Sequence, residues 1–136
     1  NARITAEHGF AIYQPQAGTT NIKGGTLTAD TVVGIKSGNL NIIGGTLTAT
    51  GNKQNAKDNG NGIHATGDVI YVEENKKYAD HVNINITDSA TLTSTNGYIV
   101  QEYNPTLKTT TPWALNITGV YTNKNILSEY NFYYTK

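Results

Sequence analysis

Hydrophobic positions in this chain come in short bursts with a period of two, set between glycine, asparagine and threonine. The nine residues NIKGGTLTA from Asn21 return almost unchanged as NIIGGTLTA from Asn41. Looser copies read NITDSATLTS from Asn85 and NITGVYTN from Asn116. A second motif, a short apolar stretch that opens on glycine, alternates with the first. It reads GFAIYQ from Gly9, GIKSG from Gly34, GIHATG from Gly62 and GYIVQEY from Gly97. Like segments recurring in one order mark a unit stacked on copies of itself, because so thin a coil cannot bury its own apolar face. Side chains alternate along a strand, so Leu27, Leu47 and Leu92 point one way and their flanking threonines the other. Stacking then predicts a leucine ladder, a second ladder of Ile22, Ile42, Ile86 and Ile117, and a third of Ile12, Ile35, Ile63 and Ile99. The pairs Gly24-Gly25 and Gly44-Gly45 mark sharp bends where positive φ is expected.

Thr-x-Thr, Asn-x-Asn and Gly-Gly are poor helix material, and no apolar spacing of 3.6 recurs. A β-sandwich also has short strands between frequent turns, but it leaves the repeated order unexplained. The expected fold is therefore an all-β parallel solenoid of about four coils. Three polar segments, TGNKQNAKDNGN from Thr50, EENKKYAD from Glu73 and NPTLKTTTP from Asn104, read as long loops thrown out from coils 2 to 4. The last residues, NILSEYNFYYTK, are rich in aromatics. The terminal coil of a stack needs cover, and these aromatics suit a lid over it. The alternative is an edge that pairs with a following segment.

Composition narrows the picture. Of 136 residues only 37% are hydrophobic and 15% charged, yet the formal charge is zero and there are nine tyrosines. Disordered chains of low hydrophobicity ordinarily carry high net charge and few aromatics. A single domain over 1–136 is expected. The absence of methionine and of a leader pattern suggests a segment of a longer chain. Balanced charge with one arginine argues against nucleic acid, which needs clustered cations. No apolar run is long enough for a membrane span. Without cysteine there are no disulfides and no thiolate metal sites.

The succession AIYQPQAGTTNIKGGTLTA, GIKSGNLNIIGGTLTATG, GIHATGDVIYVEEN and NGYIVQEY resembles the right-handed parallel β-helix repeats of pectate-lyase-like surface modules in gut Gram-positive bacteria and their phages. The likeness runs from about Ile4 to Thr122. It implies a right-handed parallel β-helix on a bacterial cell surface or virion surface, extracellular and commonly part of a longer chain. It carries no catalytic residues, because no lyase motif is present to receive them.

The search for chemistry points the same way. Calcium-assisted lyases need several converging carboxylates, whereas the aspartates here sit singly beside turn signals. A calcium site joining Asp68 to Glu73 or Asp80 is a weak option, and no metal is expected. Glu73 and Glu74 read as part of a solvated loop. His8, His64 and His81 follow no ligand spacing, and no serine sits in a nucleophile motif. Three aligned pairs, Thr26/Thr28, Thr46/Thr48 and Thr91/Thr93, bring ice binding to mind, but the unequal spacing between them counts against it. Sugar sites pair aromatic platforms with amides and carboxylates. Tyr71, Tyr78, Tyr98, Tyr103 and Trp113 lie in or beside the inserts, with Gln101 and Glu102 (and Asn75 and Asn104) close in sequence. The resulting expectation is a non-catalytic structural or binding module, adhesin-like or a fibre spacer, whose partners are glycans or host-surface components. A fragment of a polysaccharide lyase or hydrolase is the alternative, and an ice-binding protein the minor one. No oligomeric state is implied.

Overall fold

The computed structural model describes residues 2–54, 64–74, 81–104 and 115–136, and every regular element among them is a β-strand. The strands fall into four successive rungs of three. Rung one holds β1 (Arg3–Thr5), β2 (Phe10–Gln14) and β3 (Thr19–Ile22). Rung two holds β4 (Thr26–Ala29), β5 (Thr31–Ile35) and β6 (Gly38–Ile42). Rung three holds β7 (Thr46–Ala49), β8 (Ile70–Glu73) and β9 (Val82–Ile86). Rung four holds β10 (Thr91–Ser94), β11 (Val100–Tyr103) and β12 (Asn116–Gly119), and a closing pair follows, β13 (Asn123–Ile126) and β14 (Asn131–Thr135). Each rung gives one strand to each of three sheets. Sheet A runs β1-β4-β7-β10, sheet C runs β12-β9-β6-β3, and sheet B runs β13-β14-β11-β8-β5-β2. All pairings between rungs are parallel. This is an all-β, parallel-sheet architecture compatible with a β-solenoid.

Leu27, Leu47 and Leu92 lie in register in sheet A, as the repeat requires. They share one apolar cluster with Val33, Ile70 and Val100 of sheet B and Ile22, Ile42 and Ile86 of sheet C. Burying each such side chain contributes about 1.5–3 kcal/mol. Outward from sheet A, Thr26, Thr46 and Thr91 align, and Thr5, Thr28, Thr48 and Thr93 form a second column. The uneven spacing in sequence is taken up between strands and leaves the threonine register intact. Gly25 and Gly45 have φ of 89° and 93°, whereas Gly24 and Gly44 do not adopt positive φ. At Gly44 the requirement is close approach, since a Cβ there would lie 2.6 Å from the Lys23 carbonyl oxygen.

Two expected ladders are corrected. In sheet C, Ile22, Ile42 and Ile86 align, but the fourth position is Gly119, and Ile117 sits on Ile84. Gly119 has φ of 94° and lies against the Ile86 carbonyl, where a Cβ would collide. In sheet B the column is Ile12, Val33, Ile70 and Val100, while Ile35 pairs with Gln14 and Val72. Ile63 falls outside the described residues, and Ile99 immediately precedes β11. Gly34 is internal to β5 and does not open it. Strands β5 and β8 are buried on both faces, so in–out alternation carries no register information for them.

The aromatic tail both covers and pairs. Strands β13 and β14 form an antiparallel hairpin, and β14 pairs antiparallel with β11. Phe132 and Tyr134 are buried there. Among the described residues no helix is long and apolar enough to cross a membrane.

Candidate functional site

Alternation along β11 sends Val100 and Glu102 toward the core and turns Gln101 and Tyr103 to the opposite face of sheet B. Tyr133 of β14 is in register with Gln101 on that face. Four half-buried tyrosines gather here. The Tyr98 and Tyr133 rings stack with centroids 4.4 Å apart, and Tyr103 meets Tyr130 edge-on at 6.5 Å. Lys53 donates to the Tyr98 hydroxyl at 2.9 Å, with its ammonium 4.4 Å from the ring centroid. That hydrogen bond is the main reason its pKa is raised. The result is a partly exposed aromatic ridge with a cation at one end.

The ridge rests on a buried carboxyl. Asp68 accepts from the Tyr98 backbone N–H at 2.6 Å and from Gln101 Nε2 at 2.5 Å. Burial pushes its pKa up to about 6, and the hydrogen bonds it accepts from Tyr98 and Gln101 oppose the shift. Asp68 thus fixes both the entry of the chain into β11 and the Gln101 side chain. Gln101, which also donates to the Gln54 carbonyl at 3.4 Å, is fully buried.

One rung below, Tyr71 is also fully buried. Its hydroxyl donates to Glu73 Oε1 at 3.3 Å, and burial followed by the nearby Glu73 carboxylate raises its pKa. Glu73 Oε2 lies 2.9 Å from Lys36 Nζ in an ion pair shielded from solvent. The His64 ring packs edge-on to Tyr71, with centroids 6.1 Å apart. The solvated-loop reading of Glu73 and Glu74 is therefore wrong. Glu73 ends β8, and the Glu74 N–H continues the ladder to the Tyr103 carbonyl at 2.9 Å. Glu73 and Glu74 looked solvated because their charges were read without their interior partners.

On the core side, Glu102 accepts from the Tyr134 hydroxyl at 2.5 Å, from Asn104 Nδ2 at 3.3 Å and from the Leu115 N–H at 3.2 Å. Lys124 Nζ stands 3.8 Å away. Burial, then the adjacent Glu102 charge, pushes the pKa of Glu74 up to about 10. The same two causes raise that of Tyr134. Both carboxyls are fully enclosed, so they hold the hairpin and the strand ends together and do not face a surface ligand.

Of the residues expected to touch a ligand, Tyr98 and Tyr103 are half-buried and each pairs with a tyrosine of the tail, Tyr133 and Tyr130 respectively. Tyr71, Gln101 and Glu102 lie in the interior as described. Tyr78 and Trp113, like Asn75 and Asp80, are outside the described residues. Lys53, Tyr130 and Tyr133 join the ridge without having been singled out from the sequence. The only available signal was the aromatic tail, which reads as a lid or as a pairing edge and not as part of a ligand site. Asp68 and Glu73 are engaged by different partners, and no group of three or more His, Asp or Glu side chains suited to a metal ion occurs among the described residues. No protein-family model, curated protein or solved structure matches this chain.

Proposed function

We propose that the chain is a non-catalytic surface module, a right-handed parallel β-helix of the pectate-lyase-like kind, that binds carbohydrate through the tyrosine ridge of sheet B. It would act outside the cell, on a bacterial or virion surface, as an adhesin-like or fibre-forming part of a longer chain. The observation that carries this reading is the two partly exposed tyrosine pairs at β11 and β14, Tyr98 stacked on Tyr133 beside Lys53 and Tyr103 edge-on to Tyr130. Aromatic faces bury the apolar side of a sugar ring, and flanking polar groups orient its hydroxyls. A frame of three sheets around a shared core holds such a ridge in place, which limits the ordering cost of binding.

A glycan array probed with the whole chain tests the proposal. Retention on particular glycans is expected, and Tyr98→Ala or Tyr103→Ala should weaken it about tenfold or more, as for a central aromatic contact. Release of unsaturated, ultraviolet-absorbing products from polygalacturonate would overturn the non-catalytic part. The strict alignment of the threonine columns on sheet A supports ice binding as a second reading, which a thermal hysteresis measurement decides.

A further inference from the structure

The outward face of sheet C carries asparagines where sheet A carries threonines. Asn116 Nδ2 donates to Asn83 Oδ1 at 3.1 Å, Asn83 Nδ2 to Asn39 Oδ1 at 3.0 Å, and Asn39 Nδ2 to Thr19 Oγ1 at 3.2 Å. The column crosses all four rungs, and every donor points toward rung one. A second column runs beside it, with Asn41 Nδ2 donating to Asn21 Oδ1 at 2.9 Å and Thr118 Oγ1 to Asn85 Oδ1 at 2.9 Å. Between the columns lies an open groove of about 340 Å³, lined by residues from β3, β6, β9 and β12. Among the described residues no Lys, Arg, Asp, Glu or aromatic side chain lines it.

An amide has two N–H donors and two acceptor lone pairs, so an asparagine that gives one N–H to the rung before and accepts from the rung after keeps one of each. Asn39 and Asn83 are in that position, on strands about 4.8 Å apart. Hydroxyl groups, which both donate and accept, match that pattern. A ligand uses all four rungs only if it is itself a repeating polymer laid across the strands. The described lining residues give nothing for a uronate or sulfate to pair with, and ions left unpaired on a partly desolvated surface bind poorly. Without an aromatic platform, one sugar alone would be held weakly.

We infer that the sheet C groove is a second binding site, separate from the tyrosine ridge, for a linear, uncharged glycan that runs along the stacking direction with about one sugar per rung. The aligned amides make the two ends of the groove unlike, so the chain would bind in one direction.

The test uses β-1,4-linked glucose oligosaccharides of two to six units with the whole chain, followed by calorimetry and by amide-resolved NMR. Affinity is expected to rise by about three- to tenfold with each sugar up to four, the yield of one or two added hydrogen bonds, and then to level. Asn83→Ala and Asn85→Ala should each lower affinity for the hexamer by about tenfold, while Thr46→Ala on sheet A should leave it unchanged. Circular dichroism checks that the variants are folded. Equal affinity for the dimer and the hexamer overturns the inference, as does stronger binding of polygalacturonate than of the neutral chain. Loss of binding in Tyr98→Ala with none in Asn83→Ala would move the ligand to the ridge and end the case for the groove. Absence of binding by every neutral oligosaccharide sinks the groove alone if array glycans still bind through the tyrosines.

Discussion

Glu74 holds both carboxyl oxygens in the interior beside Glu102. Its pKa rises from 4.5 to about 10 on folding. Between those values the folded chain keeps a proton that the unfolded chain has released. Stability is therefore full below about pH 4.5 as far as this group is concerned, and falls as pH rises toward 10. Glu74→Gln removes the ionisation and should raise stability at pH 8 by about 1–3 kcal/mol while flattening its pH dependence; urea denaturation at pH 5 and pH 8 reads both effects. Leu47 makes the opposite case. It is fully buried between Leu27 and Leu92, so Leu47→Ala should cost about 2–5 kcal/mol, measurable by the same titration. The place of Leu47 was legible from TLT alone, because period-two alternation and exact recurrence agree. Glu74 was not legible: a carboxyl in a run of Glu, Asn and Lys looks solvated until a neighbouring strand covers it.

At the level of elements, sheet A could be read nearly residue by residue and sheet C over three of its four strands, since each has one wet face and alternates accordingly, while β12 slips by two residues from the expected ladder. Sheet B could not. Strands β5 and β8 are buried on both faces, which left glycine positions to set the register, and Gly34 proved to be internal to its strand. The closing hairpin was half legible. Its aromatics announced a cover, but their sequence is silent on the antiparallel pairing of β14 with β11. The Tyr134 hydroxyl bonded to Glu102 ties that hairpin to the core. Tyr134→Phe should cost about 1.5–3 kcal/mol, as for a lost hydrogen bond to a charged group. The loss should show as faster amide hydrogen exchange in β13 and β14, with little change in β4 and β7.

For the whole molecule, rungs touch chiefly their neighbours, so stability is approximately a sum of rung and interface contributions. Among the described residues rung one has a neighbouring rung on one side, and β1 is exposed along its length. Hydrogen exchange is therefore expected to be fastest in β1 and slowest in β5, β6, β8 and β9; uniform protection across the four rungs would contradict a nearest-neighbour stack. By itself, the sequence determined the all-β class, the stacking unit, the leucine column and the outward threonines, because all of these follow from a local period repeated in order. Tertiary structure alone decided the register of sheet B, the burial of Glu73, Glu74 and Glu102, the tyrosine ridge and the sheet C groove. Those depend on which residues distant in the chain come to lie side by side, and a repeat interrupted by segments of unequal length does not encode that distance locally.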